Sequence, residues 1–213
     1  MPGGRHWGLA SPHTRLGPRF VEAVAWVTEL HADQPRKGGS DVPYVSHLLA
    51  VAALVLEDGG DEVDAITALC HDAVEDQGGD ETLAEVRRRF GDEVAGAVAL
   101  LSDSRGEPKG PWMERKHLLL AQIDHPDVPE GVFRVAAADK LHNARTLLSQ
   151  LRVEGPRVWE RFRATPAQFV WFYGAVASVL AERHPGSVNV ADLERAVDEL
   201  AGWVPEGEVG LTA

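Results

Sequence analysis

The chain has 213 residues, 44% hydrophobic and 25% charged, which are ordinary values for a soluble globular protein that can bury a sizeable core. Its 33 acidic and 21 basic residues give a net charge of −12, which disfavours a nucleic-acid polymer as a partner. One cysteine excludes an intrachain disulfide, and the sequence shows neither a secretory signal nor a membrane-spanning apolar run, so we expect a cytoplasmic protein without a membrane partner.

Helical periodicity dominates the sequence after an N-terminal stretch that we expect to be a flexible arm (1–17). The predicted helices cover, in chain order, 19–33, 44–57, 61–75, 82–90, 92–101, 112–124, 129–152, 166–183 and 190–203. Apolar and polar residues do not alternate over any long stretch, so no strand is predicted. We therefore predict an all-α fold, one helical bundle of about eight to ten helices over 18–204, followed by a C-terminal tail (205–213).

The sequence His71-Asp72-Ala73-Val74-Glu75-Asp76 places four ionisable side chains directly after the apolar segment 65–70. Burying so many ionisable groups is costly unless a cation compensates them. On a continuous helix, residues four apart lie on the same face. His71 and Glu75 would therefore share a face, and so would Asp72 and Asp76. Each group taken singly can also be explained as a solvated or hydrogen-bonded residue at a helix end. Together they favour a metal site.

Two further ionisable residues border apolar segments and complete a set of ligands. His47 precedes the apolar segment 48–56, and Asp139 follows 135–138. Alone, His47 can be explained as a hydrogen-bonded core histidine and Asp139 as the partner of a nearby Lys or Arg. Two imidazoles and two carboxylates, however, form a mixed nitrogen and oxygen set that suits Mn²⁺, Fe²⁺ or Zn²⁺. We therefore predict one divalent cation per chain, held by His47, His71, Asp72 and Asp139.

Several motifs, in the same order along the chain, resemble those of the hydrolase domain of the RelA/SpoT family, and in length the chain is most similar to the small stand-alone alarmone hydrolases. The resemblance covers about residues 20–180 and implies an HD-type hydrolase domain. The matching motifs are Arg36-Lys37 followed by Pro43-Tyr44 and His47, then His71-Asp72-Ala73-Val74-Glu75-Asp76, then Phe90-Gly91 with Val94, and finally Ala138-Asp139-Lys140-Leu141-His142-Asn143-Ala144-Arg145-Thr146-Leu147.

The resemblance also implies a reaction and a role for each motif. The reaction is the release of pyrophosphate from the ribose 3′ position of the guanosine alarmones ppGpp and pppGpp, with Mn²⁺ as the cofactor. Glu75 and Asp76 would position and activate the attacking water and assist proton transfer. The partner is thus a small anionic nucleotide, and the expected substrate-binding residues are Arg36, Lys37, Lys140 and Asn143.

Two departures from the family pattern lie near the substrate rather than near the metal. Family members usually have Lys three residues before the last metal-binding Asp, where this chain has Ala136, and the loop 38–42 is longer than usual. These departures leave open an HD phosphohydrolase that acts on another nucleotide, such as an adenine alarmone, the phosphate of NADP(H) or a nucleotide monophosphate. A non-catalytic nucleotide-binding regulator and a helical scaffold without a ligand are alternatives from other classes. Intact Glu75 and Asp76 argue against the regulator.

A small basic group precedes and begins the helix predicted at 112–124. It consists of Lys109, Arg115 and Lys116. It can be interpreted equally well as a phosphate-facing patch or as the solvated face of a helix.

Overall fold

A computed structural model describes residues 14–36, 41–104, 110–205 and 207. Within these ranges the chain forms nine α-helices and one short 3₁₀-helix, and its only β-type pairing is an isolated bridge between Pro35 and Pro43. The predicted all-α class is confirmed. Most of the expected arm and tail lies outside the described residues, as do Lys37, 38–40 and Lys109.

Capping residues and prolines fix several of the helix ends. Asp61 caps the third helix in a reciprocal capping box with Asp64, and Thr165 does the same with Gln168 ahead of Pro166. The helices are α1 (Pro18–Leu30), α2 (Val45–Glu57), α3 (Glu62–Cys70), α4 (Ala73–Gln77), α5 (Gly79–Leu101), α6 (Trp112–Ile123), α7 (Glu130–Glu154), α8 (Pro166–Arg183) and α9 (Val188–Ala201), with the 3₁₀-helix Pro156–Arg161 between α7 and α8.

The segment 61–75, predicted as one helix, is two helices joined by a turn. α3 ends at Cys70 and α4 begins at Ala73, so His71 and Asp72 lie in the turn between them. The prediction of one continuous helix through this cluster is therefore wrong, and the break separates His71 from Glu75. The backbone nitrogen of Asp76 still donates to the carbonyl of Asp72, as in a helical turn. By contrast, the predicted break at Gly91 is present as a kink inside α5, where φ is 86° and ψ is 174°, a conformation open mainly to glycine.

The core consists of two hydrophobic clusters that meet at α7. One is formed mainly by α1 to α5 and the other mainly by α6 to α9. Val135 and Ala138 of α7 belong to the first cluster, whereas Ala136 and Ala137 belong to the second. Asp139 follows directly, so it lies at the junction. None of the helices in the described ranges combines the length and apolar character needed to cross a membrane.

Candidate metal centre

Three parts of the fold bring the four predicted ligands together. His47 lies in the first turn of α2, His71 and Asp72 form the turn between α3 and α4, and Asp139 lies within α7. His47, His71 and Asp139 are buried, and each offers a ligand atom within 4.8 Å of the others. Asp72 lies beside them, with Oδ2 3.0 Å from Nε2 of His71 and 3.6 Å from Nε2 of His47. Residues far apart in sequence thus share one site.

The two imidazoles direct their Nε2 atoms toward the carboxylates. Nδ1 of His71 is 2.7 Å from the carbonyl oxygen of Ala68, and Nδ1 of His47 is 2.8 Å from Nδ1 of His142. Both Nε2 atoms are buried and have no hydrogen-bond partner among the described residues. With Nδ1 of each ring engaged, each Nε2 faces carboxylate oxygens and needs either a proton or a cation between them, because both sides carry lone pairs. A shared divalent cation satisfies this donor set, so the residues are suited to a metal.

The electrostatics of the cluster also favour a bound positive charge. Burial lowers the pKa of His71, but the neighbouring carboxylates of Asp72 and Asp139 raise it by more, so the pKa lies well above its usual value. Burial raises the pKa of Asp72 while His71 lowers it, and for Asp139 the lowering comes chiefly from Lys140; both carboxyl pKa values lie well below their usual range. The aspartates are therefore ionised and attract a cation.

Three of the predicted substrate-binding residues form a hydrogen-bonded chain that ends on Asp139. Arg36 donates from Nη2 to Oδ1 of Asn143 over 2.7 Å, and Asn143 donates from Nδ2 to Oδ1 of Asp139 over 2.5 Å. The Lys140 ammonium donates to the other carboxylate oxygen, Oδ2. All three residues thus lie at the site, and two of them fix the orientation of the carboxylate. Lys37, the fourth, lies outside the described residues.

The predicted catalytic pair lies on α4, but its two members have different surroundings. Glu75 lines a pocket beside His71, together with Asp103. Asp76 accepts a hydrogen bond of 2.8 Å from Nε2 of Gln34 and lines a separate pocket against the end of α1. Only Glu75 therefore shares a pocket lining with the proposed ligands.

The structure adds neighbours to which the sequence assigned no role. The Tyr44 hydroxyl donates to Oδ2 of Asp72, His142 contacts His47, and Gln34 holds Asp76. The backbone nitrogen of Tyr44 also donates to the carbonyl of Gln34, which closes the loop that carries Arg36. Tyr44 and His142 belong to motifs that the sequence already shows, so both could have been identified as site residues from it. Nothing in the sequence marks Gln34.

Comparison with known proteins places this geometry in a family. The HD-domain family model matches residues 23–167, which contain all the predicted site residues. The guanosine-3′,5′-bis(diphosphate) 3′-pyrophosphohydrolase MESH1 of Xenopus tropicalis is 37% identical over 131 residues, covering 60% of this chain and 69% of that protein. MESH1 of Drosophila melanogaster is 29% identical over 184 residues, covering 85% and 92%.

A solved structure extends the likeness to the fold. A metazoan ortholog of SpoT that hydrolyzes ppGpp superimposes with a TM-score of 0.67 at 28% identity, covering 88% of this chain and 96% of that one. The family match, the relatives and the superposition agree with one another. The chain therefore belongs to the HD-domain family, in the group that includes the guanosine-3′,5′-bis(diphosphate) 3′-pyrophosphohydrolases.

Proposed function

We propose that this protein hydrolyses the 3′-pyrophosphate of guanosine alarmones, ppGpp and pppGpp, and releases pyrophosphate. The observation that carries the proposal is the convergence of two buried, unpartnered Nε2 atoms, from His47 and His71, on two ionised aspartates. The relatives named for this reaction support the same assignment. The proposal includes Mn²⁺ as the ion and the cytoplasm as the location.

The proposed ion is held by His47, His71, Asp72 and Asp139. When bound, a divalent cation supplies Lewis-acid activation of water and of phosphoryl oxygens. The chain's own residues orient the ligands: Asn143 and Lys140 hold Asp139, and the Tyr44 hydroxyl holds Asp72. Hydrogen bonds donated to a ligating carboxylate fix the direction in which its oxygens point.

Proton transfer is assigned to the carboxylates of α4. Water contributes the oxygen that bonds to phosphorus, the bond between this phosphorus and ribose O3′ breaks, and O3′ leaves with a proton. Glu75 is the better placed of the two to exchange these protons, because it lines the pocket that also contains His71 and Asp139. Asp76 assists from the far side, where the amide of Gln34 fixes its orientation.

Arg36, Lys140 and Asn143, together with Lys37, are proposed to bind the nucleotide. The Arg36 guanidinium lies over the Tyr44 ring, 5.5 Å from its centre, so a cation–π contact already holds it beside the site. Ala136 lines the pocket without offering a charge. The substrate specificity of the site therefore depends on the remaining basic residues, which is why other nucleotides must be compared with the guanosine alarmones directly.

A substrate panel tests the proposal. Mn²⁺-loaded protein is incubated with ppGpp, pppGpp, their adenine analogues and NADP(H), and released pyrophosphate and phosphate are measured. We expect pyrophosphate from the guanine compounds. The matched control is the double variant Glu75→Gln with Asp76→Asn, which should bind the ion and release nothing. Absence of pyrophosphate from ppGpp and pppGpp would refute the assignment, and full turnover by the double variant would refute the role of α4.

A further inference from the structure

A buried histidine to which the proposed reaction gives no role lies near the end of α4. His31 follows directly after α1 and is only 2% exposed. Its ring stacks on the ring of Tyr44, with 5.2 Å between the ring centres and an angle of 21° between the planes. The Tyr44 hydroxyl in turn donates to Asp72, so only one side chain separates His31 from the candidate metal centre.

The polar contact of His31 is with the side-chain amide of Gln34. Nδ1 of His31 is 2.7 Å from Oε1 of Gln34, and the same oxygen accepts a hydrogen bond of 2.5 Å from Nε2 of Gln77. An amide oxygen can only accept, so the contact requires a proton on Nδ1. Burial lowers the pKa of His31, so the ring is neutral near pH 7 and carries this one proton. Nε2 is buried without a hydrogen-bond partner among the described residues, so the ring acts through Nδ1.

The two donors on Oε1 decide which end of the Gln34 amide faces Asp76. While Oε1 accepts from His31 and Gln77, the amide nitrogen Nε2 donates to Oδ2 of Asp76 over 2.8 Å. A reversed amide would set its oxygen against a carboxylate oxygen and its NH2 group against two other N–H donors. The network therefore favours a single orientation of the amide, and in that orientation Asp76 receives a hydrogen bond.

We propose that His31 is a positioning residue for the hydrolysis, which fixes the Gln34 amide and through it the direction of the Asp76 carboxylate. The inference rests on the proposed function, because it assigns His31 to the orientation of a proton-transfer group. A carboxylate can rotate about the bond that carries it, and it exchanges protons efficiently only when its oxygens point in a defined direction. The stack on Tyr44 holds the imidazole itself in place.

Two substitutions separate the hydrogen bond of His31 from its packing. His31→Phe keeps a flat ring against Tyr44 but removes the donor, so kcat for ppGpp should fall by about threefold to tenfold, as for one lost hydrogen bond. KM and the affinity for Mn²⁺ should stay within about twofold, because the change acts on a proton-transfer group and not on binding. His31→Asn keeps an N–H near the position of Nδ1 and should retain most of kcat. Equal losses of kcat in both variants would assign His31 to packing and overturn the inference.

The matched control is Asp33→Asn. Asp33 is exposed, follows α1 in the same turn as His31, and lines the same pocket as Gln34 and Asp76. Removing its charge should leave kcat within about twofold of the wild-type value, since substitutions of exposed residues usually have small effects. A loss in Asp33→Asn equal to that in His31→Phe would trace the effect to the charge around the pocket and overturn the role of the hydrogen-bond network.

The tautomer of His31 tests the network without any turnover. Nitrogen NMR of protein labelled at its histidines, with diamagnetic Zn²⁺ in place of paramagnetic Mn²⁺, should show a neutral His31 ring with its proton on Nδ1. The signal is assigned by its absence from the spectrum of His31→Phe or His31→Asn. Should a variant lose the helical circular dichroism spectrum, the tautomer in the wild-type protein decides, and a proton on Nε2 would overturn the inference.

The outcomes separate this inference from the proposed function. A proton on Nδ1 of His31 without any ppGpp hydrolysis would support the network around Gln34 and contradict the proposed function. Hydrolysis of ppGpp with an unchanged kcat in His31→Phe would overturn the positioning role of His31 alone.

Discussion

His142 shows how one side chain outside the ligand set can control the metal centre. Its Nδ1 is 2.8 Å from Nδ1 of His47, so one of the two atoms donates and the other accepts. Burial, then the charges of His47 and Arg36, lower the pKa of His142 to about 4. His142 is therefore neutral near pH 7, and its Nδ1 can accept. His47 then carries its proton on Nδ1 and leaves Nε2 free for a cation.

Replacing His142 should therefore weaken metal binding. His142→Leu removes the acceptor for the His47 Nδ1 proton, and we expect the affinity for Mn²⁺ to fall by about tenfold to a hundredfold, as is usual when a hydrogen bond behind a ligand is lost. Calorimetric titration of the metal-free protein with Mn²⁺ measures this. His142→Gln keeps an acceptor and should lose less. If both variants lose affinity equally, the ring acts by packing and not through its hydrogen bond.

At the level of helices, the approach of α3 to α7 depends on a glycine. A Cβ atom added to Gly131, in the first turn of α7, would lie 1.9 Å from Oδ1 of Asp64 in α3. Asp64 has little freedom to move, because Nη1 of Arg134 donates to its other oxygen over 3.0 Å and its carboxylate also caps α3. Since α3 leads into His71 and α7 carries Asp139, this contact helps to set the separation of the proposed ligands.

We expect Gly131→Ala to lower the free energy of unfolding by about 1–3 kcal/mol, as is typical of overpacking. The control is Gly96→Ala on the exposed face of α5, where nothing lies within 4 Å of the added Cβ. That variant should gain up to about 1 kcal/mol, because alanine is the better helix former. Urea unfolding of both variants measures the difference. A stability of Gly131→Ala equal to that of Gly96→Ala would show that Asp64 moves aside without cost.

The sequence predicted helices best where it carries an explicit stop or start. Pro166 begins α8 and Gly91 kinks α5, both as predicted, because these residues restrict or widen the backbone conformations that are available. The break between α3 and α4 has no such marker: His71 and Asp72 are compatible with a helix, and tertiary packing ends it there. The 3₁₀-helix Pro156–Arg161 was also not predicted, since so short a segment has no hydrophobic period of its own.

The candidate site, like the helices, could be predicted from the sequence only in part. The convergence of its four proposed ligands was predictable because each borders an apolar segment, where an ionisable side chain stands out. The surrounding hydrogen bonds were not predictable, because they join residues that are distant in the chain: 95 positions separate His47 from His142, and 28 separate Tyr44 from Asp72. Spacing along a helix carries no information about such pairs. The contact of Lys116 with Phe172 likewise depends on α6 packing against α8.

At the scale of the molecule, the candidate centre lies where the two hydrophobic clusters meet. α2 and the turn after α3 carry His47, His71 and Asp72 from one cluster, while α7 contributes residues to both. A cation shared by these elements would therefore bridge the two parts of the core.

Removing the ion should therefore lower the stability of the whole chain and not only its activity. At a free Mn²⁺ concentration a hundredfold above Kd, binding contributes about 2.7 kcal/mol. For a chain of this length we expect chelation to lower Tm by about 5–10 °C, and added Mn²⁺ should restore it. Thermal unfolding of Asp139→Asn is the control, because without that carboxylate Tm should respond little to chelator. A helical scaffold without a metal would show no response in either protein. An unchanged wild-type Tm would therefore refute the shared cation, because removal of a bound ion leaves the repulsion between Asp72 and Asp139 less compensated.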